Sequence, residues 1–116
     1  MSNAYRFFKK GKILFNKGRF VEAIMFLEKA RDIEPEKGSI REILASAYYN
    51  CGFYDSAREN FEAALRIDAS NDFAHYGLGL CFLREKNLSR ALGHFKIAAA
   101  MNPKSEKYKE VLRKFT

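Results

Sequence analysis

Sliding the 116-residue chain against itself by 34 positions brings like residues into register again and again. Ala23, Ala57 and Ala91 fall into one column, and Ala30, Ala64 and Ala98 into another. Leu14, Tyr48 and Phe82 align, as do Phe20, Tyr54 and Leu88, and Leu27, Phe61 and Phe95. Gly11, Ala45 and Gly79 make a column of small residues, while Ile33, Ile67 and Met101 make an apolar one. Gly18 matches Gly52, and Pro35 matches Pro103. So many columns at one offset imply a unit that buries its apolar face only by stacking on copies of itself.

Within each unit the apolar spacing is helical and falls into two blocks. Ala, Leu, Glu, Lys and Arg are plentiful and Val and Thr scarce, which also favours helix. The small column lies midway along the first block, where it lets two helix backbones approach closely. Ala23, Ala57 and Ala91 serve the same purpose on the second block. Gly18 and Gly52 are placed to stop the first helix in the left-handed conformation that a helix end commonly needs. The residue two positions later (Phe20, Tyr54 or Leu88) is expected to anchor the start of the second helix in the core. Pro35 and Pro103 end the second helix, because the residue before proline is pushed out of the helical region.

These residues resemble the tetratricopeptide repeat, a 34-residue helix-turn-helix unit. The resemblance covers nearly the whole chain and implies an all-α fold. That fold is a right-handed α-solenoid of three antiparallel helix pairs plus a closing helix, seven helices in all. The repeats span about 4–37, 38–71 and 72–105, with a capping helix over 106–116. Three departures stand out: Lys10 for the usual leucine in repeat one, Ala69 for proline in repeat two, and Lys86 for glycine in repeat three. Asn87 is the expected left-handed residue at that last turn. Ser39-Ile40-Arg41-Glu42 reads as a capping box, Ser70 or Asn71 as the next cap, and Ser105 as the last. The final segment carries an apolar stripe at Tyr108, Val111, Leu112 and Phe115 and a charged opposite face. This suits a solenoid cap, the alternative being the first helix of a fourth repeat. Ser2-Asn3-Ala4 looks like an expression-vector scar, so residues 1–3 are set apart.

The resemblance also implies which first-helix positions face the concave side. In repeat one these are Tyr5, Phe8, Lys9, Lys12, Phe15 and Asn16. Repeat two offers Ser39, Glu42, Ile43, Ser46, Tyr49 and Asn50, and repeat three Phe73, Tyr76, Gly77, Leu80, Leu83 and Arg84. The expected groove therefore rests on Tyr5, Phe8, Lys12, Phe15, Ile43, Tyr49, Asn50, Phe73, Tyr76, Leu80, Leu83 and Arg84. Aromatic anchors in a concavity favour a protein or peptide partner with apolar side chains. The alternative is a structural oligomerisation domain that self-associates, as a homodimer, through the groove or the end helix. Some members of the family grip a C-terminal carboxylate with lysines, asparagines and arginine. Here those positions hold Phe8, Lys12, Ile43, Phe73 and Gly77, of which only Lys12 suits that task.

Charge and composition narrow the function further. At 47% apolar and 30% charged residues, the chain has enough hydrophobic material to fold rather than stay disordered. Repeat one carries nine basic against five acidic residues, repeat two three against five, repeat three five against two, and the last segment four against two. The net +7 is thus split around an acidic middle, with no continuous basic stripe for a phosphate backbone. Basic and aromatic residues interleave only over Tyr5 to Lys12, where Phe7 is expected in the core, Phe8 at the groove and the lysines in solvent. Nucleic acid and membrane surfaces are accordingly not the expected partners. An RNA reader of the related pentatricopeptide type would need polar fifth positions, and here these are Phe8, Glu42 and Tyr76.

The longest uncharged run, Ile43 to Tyr54, is too short to span a bilayer. No apolar stretch follows the opening residues as in a secretory signal. Cys51 and Cys81 stand alone, as free thiols suited to a reducing, cytoplasmic type of compartment. His75 and His94 read as packing or surface residues with no catalytic partner. No cofactor, metal site or enzyme activity is implied, since no phosphate loop, metal-spaced cluster or nucleophile motif occurs.

Overall fold

Seven helices follow one another at the spacing of the repeat: α1 (Asn3–Asn16), α2 (Phe20–Ile33), α3 (Gly38–Asn50), α4 (Tyr54–Ile67), α5 (Asp72–Arg84), α6 (Leu88–Met101) and α7 (Glu106–Phe115). They come from a computed structural model that describes residues 3–116. Of the residues set apart as a vector scar, Met1 and Ser2 lie outside the described residues. Asn3 opens α1, and Ala4 is buried. Consecutive helices pack as antiparallel pairs, α1 on α2, α3 on α4 and α5 on α6, and each pair stacks on the next. The result is an elongated stack, 45 × 25 × 22 Å.

The same backbone turn closes the first helix of every pair. Arg19, Phe53 and Asn87 each donate a backbone N–H to the carbonyl five residues back, on Leu14, Tyr48 and Phe82, at 2.9 Å. Such a closure needs one residue with positive φ. Gly18 and Gly52 supply it at φ +77° and +81°. In repeat three the residue is Lys86, at φ 61°, not Asn87 as expected. Asn87 instead caps α6, its side-chain oxygen accepting the N–H of Arg90 at 3.1 Å. The shared turn decides the backbone, and a lysine is forced into a conformation that costs roughly 1 kcal/mol.

Between pairs, Glu34 and Asn102 leave the helical region, at ψ 75° and 77°, before Pro35 and Pro103. Asp68 is extended with Ala69 after it, and its carboxylate accepts the N–H and the hydroxyl of Ser70 at 2.9 and 2.6 Å. A side-chain turn thus does in repeat two what proline does in its neighbours. Asn71 and Ser105 cap α5 and α7 through the N–H groups of Ala74 and Tyr108. The expected capping box at Ser39 does not form. The helix starts two residues earlier, at Gly38 with Lys37 as its N-cap, so Ser39 already lies inside the first turn.

The core runs between the paired helices. Ala23, Ala57, Ala91, Ala30, Ala64 and Ala98 are completely buried, as are Leu27 and Phe95. A Cβ on Gly11 would lie 2.6 Å from Cγ of Leu27, and one on Gly79 2.3 Å from Cε1 of Phe95. The glycines therefore mark where the large residue of the second helix enters the first. Phe20 and Tyr54 pack edge-on against Phe15 and Tyr49, both at 5.2 Å between centroids. Leu88, expected to anchor α6 likewise, is 46% exposed. Leu83 stands where those rings find an aromatic partner, so no ring pair forms there.

Candidate binding groove

The odd-numbered helices form one wall, and a groove of about 720 Å³ runs along it from α1 to α7. Phe8, Lys12 and Phe15 of α1 line it, then Ile43, Tyr49 and Asn50 of α3, and Phe73, Tyr76 and Leu80 of α5. Ser39, Glu42, Ser46 and Gly77 complete the surface from the same helices. The other three expected groove residues lie elsewhere. Tyr5 lines a separate shallow depression with Arg6, Lys9, Lys10 and Ile13. Leu83 packs against the core. Arg84 lies over the rings of Tyr49 and Tyr54, at 5.6 and 5.4 Å, and donates to the Tyr49 hydroxyl at 3.1 Å. Its guanidinium holds Tyr49 in place beside the groove.

Two lining residues escape a reading by first-helix positions alone. Phe61 belongs to α4, and its ring tip reaches the groove past Gly77. A Cβ on Gly77 would sit 2.3 Å from Cζ of that ring. The glycine, standing where repeat two has Ile43, was the signal that a neighbour needs the space. Lys107 of α7 is the other. It occupies the register of Tyr5, Ser39 and Phe73, so extending the position rule by one more repeat finds it.

The rings of the groove are braced from behind. Phe73 meets Phe61 at 6.0 Å and Tyr76 at 6.3 Å, and Tyr76 in turn meets Phe95 and Tyr108 at 5.8 and 5.3 Å. The Lys107 ammonium lies 5.5 Å from the centre of the Tyr76 ring. Tyr108 donates its hydroxyl to Asp72 at 2.8 Å, which ties α7 to α5. Burial and that carboxylate push the Tyr108 phenol up.

The groove's charged groups are few. Lys12 and Lys107 stand on the first and last helices that border it, with Glu42 on α3 between them. Burial raises the Glu42 carboxyl, and Asp72 and Asp68 raise it further against the opposing influence of the Asn71 side chain.

The outer end of α1 obeys the same register with different residues. Ile40, Leu44 and Ala47 of α3 are buried, as are Ala74, Leu78 and Cys81 of α5. Their counterparts on α1 are Arg6, Lys10 and Ile13, all exposed. Lys10, at the leucine position, is exposed, with its ammonium over the Phe26 ring at 4.6 Å.

A further side-chain cluster sits on the packing side. His75 of α5 and His94 of α6 bring their Nδ1 atoms to 3.1 Å, and His94 stacks on Phe82. Sequence reasoning gave these histidines no partner. Their shared register with Phe7–Phe26, which meet at 6.4 Å, and Arg41–Asn60, which hydrogen-bond at 3.0 Å, was the available signal. Cys81 is buried and Cys51 half-buried, both as free thiols. Burial first, then Glu85, pushes the Cys81 thiol up to about 12.

The repeated helix pairs have counterparts among known proteins. Family models described as the tetratricopeptide repeat match residues 4–37 and 44–106, the latter more than half of the chain. The chain belongs to the tetratricopeptide repeat family. It is 28% identical over 98 residues to the TPR repeat-containing thioredoxin TTL4 of Arabidopsis thaliana, a match that covers 84% of this chain but 14% of that protein. The first TPR of Spaghetti (RPAP3), bound to the HSP90 peptide SRMEEVD, superposes with a TM-score of 0.91 at 23% identity, covering 97% of this chain and 89% of that one. The Arabidopsis OM64 TPR domain gives 0.93 at 17%, covering 97% and 96%. YrrB, a TPR protein with an unusual peptide-binding site, gives 0.91 at 21%, covering 97% and 58%. These likenesses establish a tetratricopeptide solenoid.

Proposed function

We propose that this chain is a non-catalytic interaction scaffold whose groove holds an extended segment of a protein partner by its apolar side chains. The supporting observation is the set of half-buried rings and aliphatic chains on the concave wall. Phe8, Phe15, Ile43, Phe73 and Leu80 pack partly on the core yet keep surface turned to the groove. Apolar surface gathered in a concavity is where binding energy concentrates. A neighbour of the same fold is bound to an HSP90 peptide. The present groove has Phe8, Ile43, Phe73 and Gly77 where carboxylate-gripping residues would stand, which favours apolar anchoring over capture of a chain terminus.

The test is the state of the free chain. Light scattering after size exclusion at micromolar concentration is expected to give a monomer of 13.4 kDa, with the groove open to a foreign ligand. A dimer that dissociates on Phe73→Glu would assign the groove to a second copy of the chain and overturn the reading.

A further inference from the structure

Glu42 is the single carboxylate among the groove's lining residues. It projects from the middle helix of the wall, which Tyr49 also supplies, with Phe73 and Tyr76 on the next helix. None of the ion pairs among the described residues includes it. Its polar neighbours do not compensate the charge. The Asn71 side chain favours the charged form, while burial, Asp72 and Asp68 disfavour it. Those two aspartates have donors of their own, Ser70 for Asp68, and Tyr108 with Asn102 for Asp72. Lys12 on α1 and Lys107 on α7 share the groove without pairing with Glu42, and Lys107 is held over Tyr76. The middle of the groove thus combines an under-compensated carboxylate with aromatic rings, the two features that attract an organic cation.

We infer that Glu42 selects a lysine or arginine in the bound segment, flanked by apolar residues that fill the aromatic wall. This deepens the groove reading and rests on it. A cationic side chain reaching Glu42 replaces part of the solvation that burial removed and offsets the repulsion from Asp68 and Asp72. The aromatic anchors give affinity, and the carboxylate decides which apolar segments bind.

The test displays a random peptide library to the wild-type chain, to Glu42→Gln and to Phe8→Ser, each checked for folding by circular dichroism. The wild type is expected to enrich peptides with Lys or Arg between apolar residues. Calorimetry with one such synthetic peptide should show binding about tenfold weaker to Glu42→Gln, the scale of one charge-assisted hydrogen bond. Replacing the peptide's lysine by norleucine should cost the wild type the same factor and Glu42→Gln nothing more, as a thermodynamic cycle requires. Peptides that depend on Phe8 but carry no basic residue, or bind Glu42→Gln equally well, overturn the cation assignment and leave the groove reading standing. No enrichment over Phe8→Ser overturns both.

Discussion

Toward its own second helix, each of α1, α3 and α5 presents a small residue at closest approach, Gly11, Ala45 or Gly79, followed three positions on by Leu14, Tyr48 or Phe82. On the neighbouring groove-side register the same helices present Phe8, Glu42 and Tyr76, then Lys9, Ile43 and Gly77. One face repeats its chemistry in every unit, and the other varies it from unit to unit. The packing face must meet the same partner each time, a Leu27, Phe61 or Phe95 descending from the second helix. The groove face meets no residue that recurs from unit to unit, so its chemistry is free to vary. Gly77 is the instructive exception, a groove position that has been recruited to packing because the Phe61 ring lies across it.

Adding volume to the packing face should break this division most severely. Gly79→Val would drive side-chain atoms into the buried Phe95 ring, and thermal denaturation followed by circular dichroism should show a loss of roughly 3 kcal/mol. Gly93→Ala, where an added Cβ meets nothing, should instead gain about 0.5–1 kcal/mol from helix propensity. A loss at both positions would mean that glycine content alone, and not the close approach, governs the packing face.

The rim of the packing face offers a smaller, pH-dependent contrast. Burial lowers both His75 and His94, and for His94 the neighbouring His75 and Arg90 lower it further. Arg58 and Arg90 over the Phe82 ring add positive charge beside the pair, and Glu85 is engaged by Arg58 at 2.9 Å. With folded pKa values below the ordinary 6.5, the unfolded chain takes up protons first. Stability should therefore fall as pH drops from about 6.5 through the lowered folded values, then level off. The double variant His75→Phe, His94→Phe, which copies the Phe7–Phe26 pair of repeat one, should lose that slope in denaturant titrations at pH 7 and pH 5. A slope unchanged in the variant would place the acid sensitivity elsewhere.

The smallest effect belongs to the groove face. Because Glu42 has a raised folded pKa, its carboxyl stabilises the fold below the unfolded value and loses that contribution as pH rises through the folded one. Glu42→Gln should raise the melting temperature slightly at pH 7 and leave it unchanged near pH 3. Such a gain identifies a residue kept at some cost to stability, as binding residues often are. A loss at pH 7 would make Glu42 a structural group of α3 and weaken the contrast between the two faces.

The packing face was the part most legible in the sequence. Its small, alanine and large apolar columns recur at 34 residues because the same contact recurs, and that recurrence dictates helix pairs stacked in one direction. The turns were readable wherever glycine or proline marked them. They were misread at Lys86 and Ser39, where the shared backbone geometry overrode the local residue preference.

The groove was legible as a set of register positions, and nine of the twelve named residues line it together. What the register could not supply was orientation. Arg84 turns away to lie on Tyr49 and Tyr54, Phe61 crosses from α4, and the His75–His94 pair forms across two helices. Each depends on which of several open directions a side chain takes once its neighbours are in place. Periodicity fixes a backbone and the side that each residue faces. Only the packed tertiary structure decides which rings and charges meet, because those choices are settled by contacts between residues tens of positions apart.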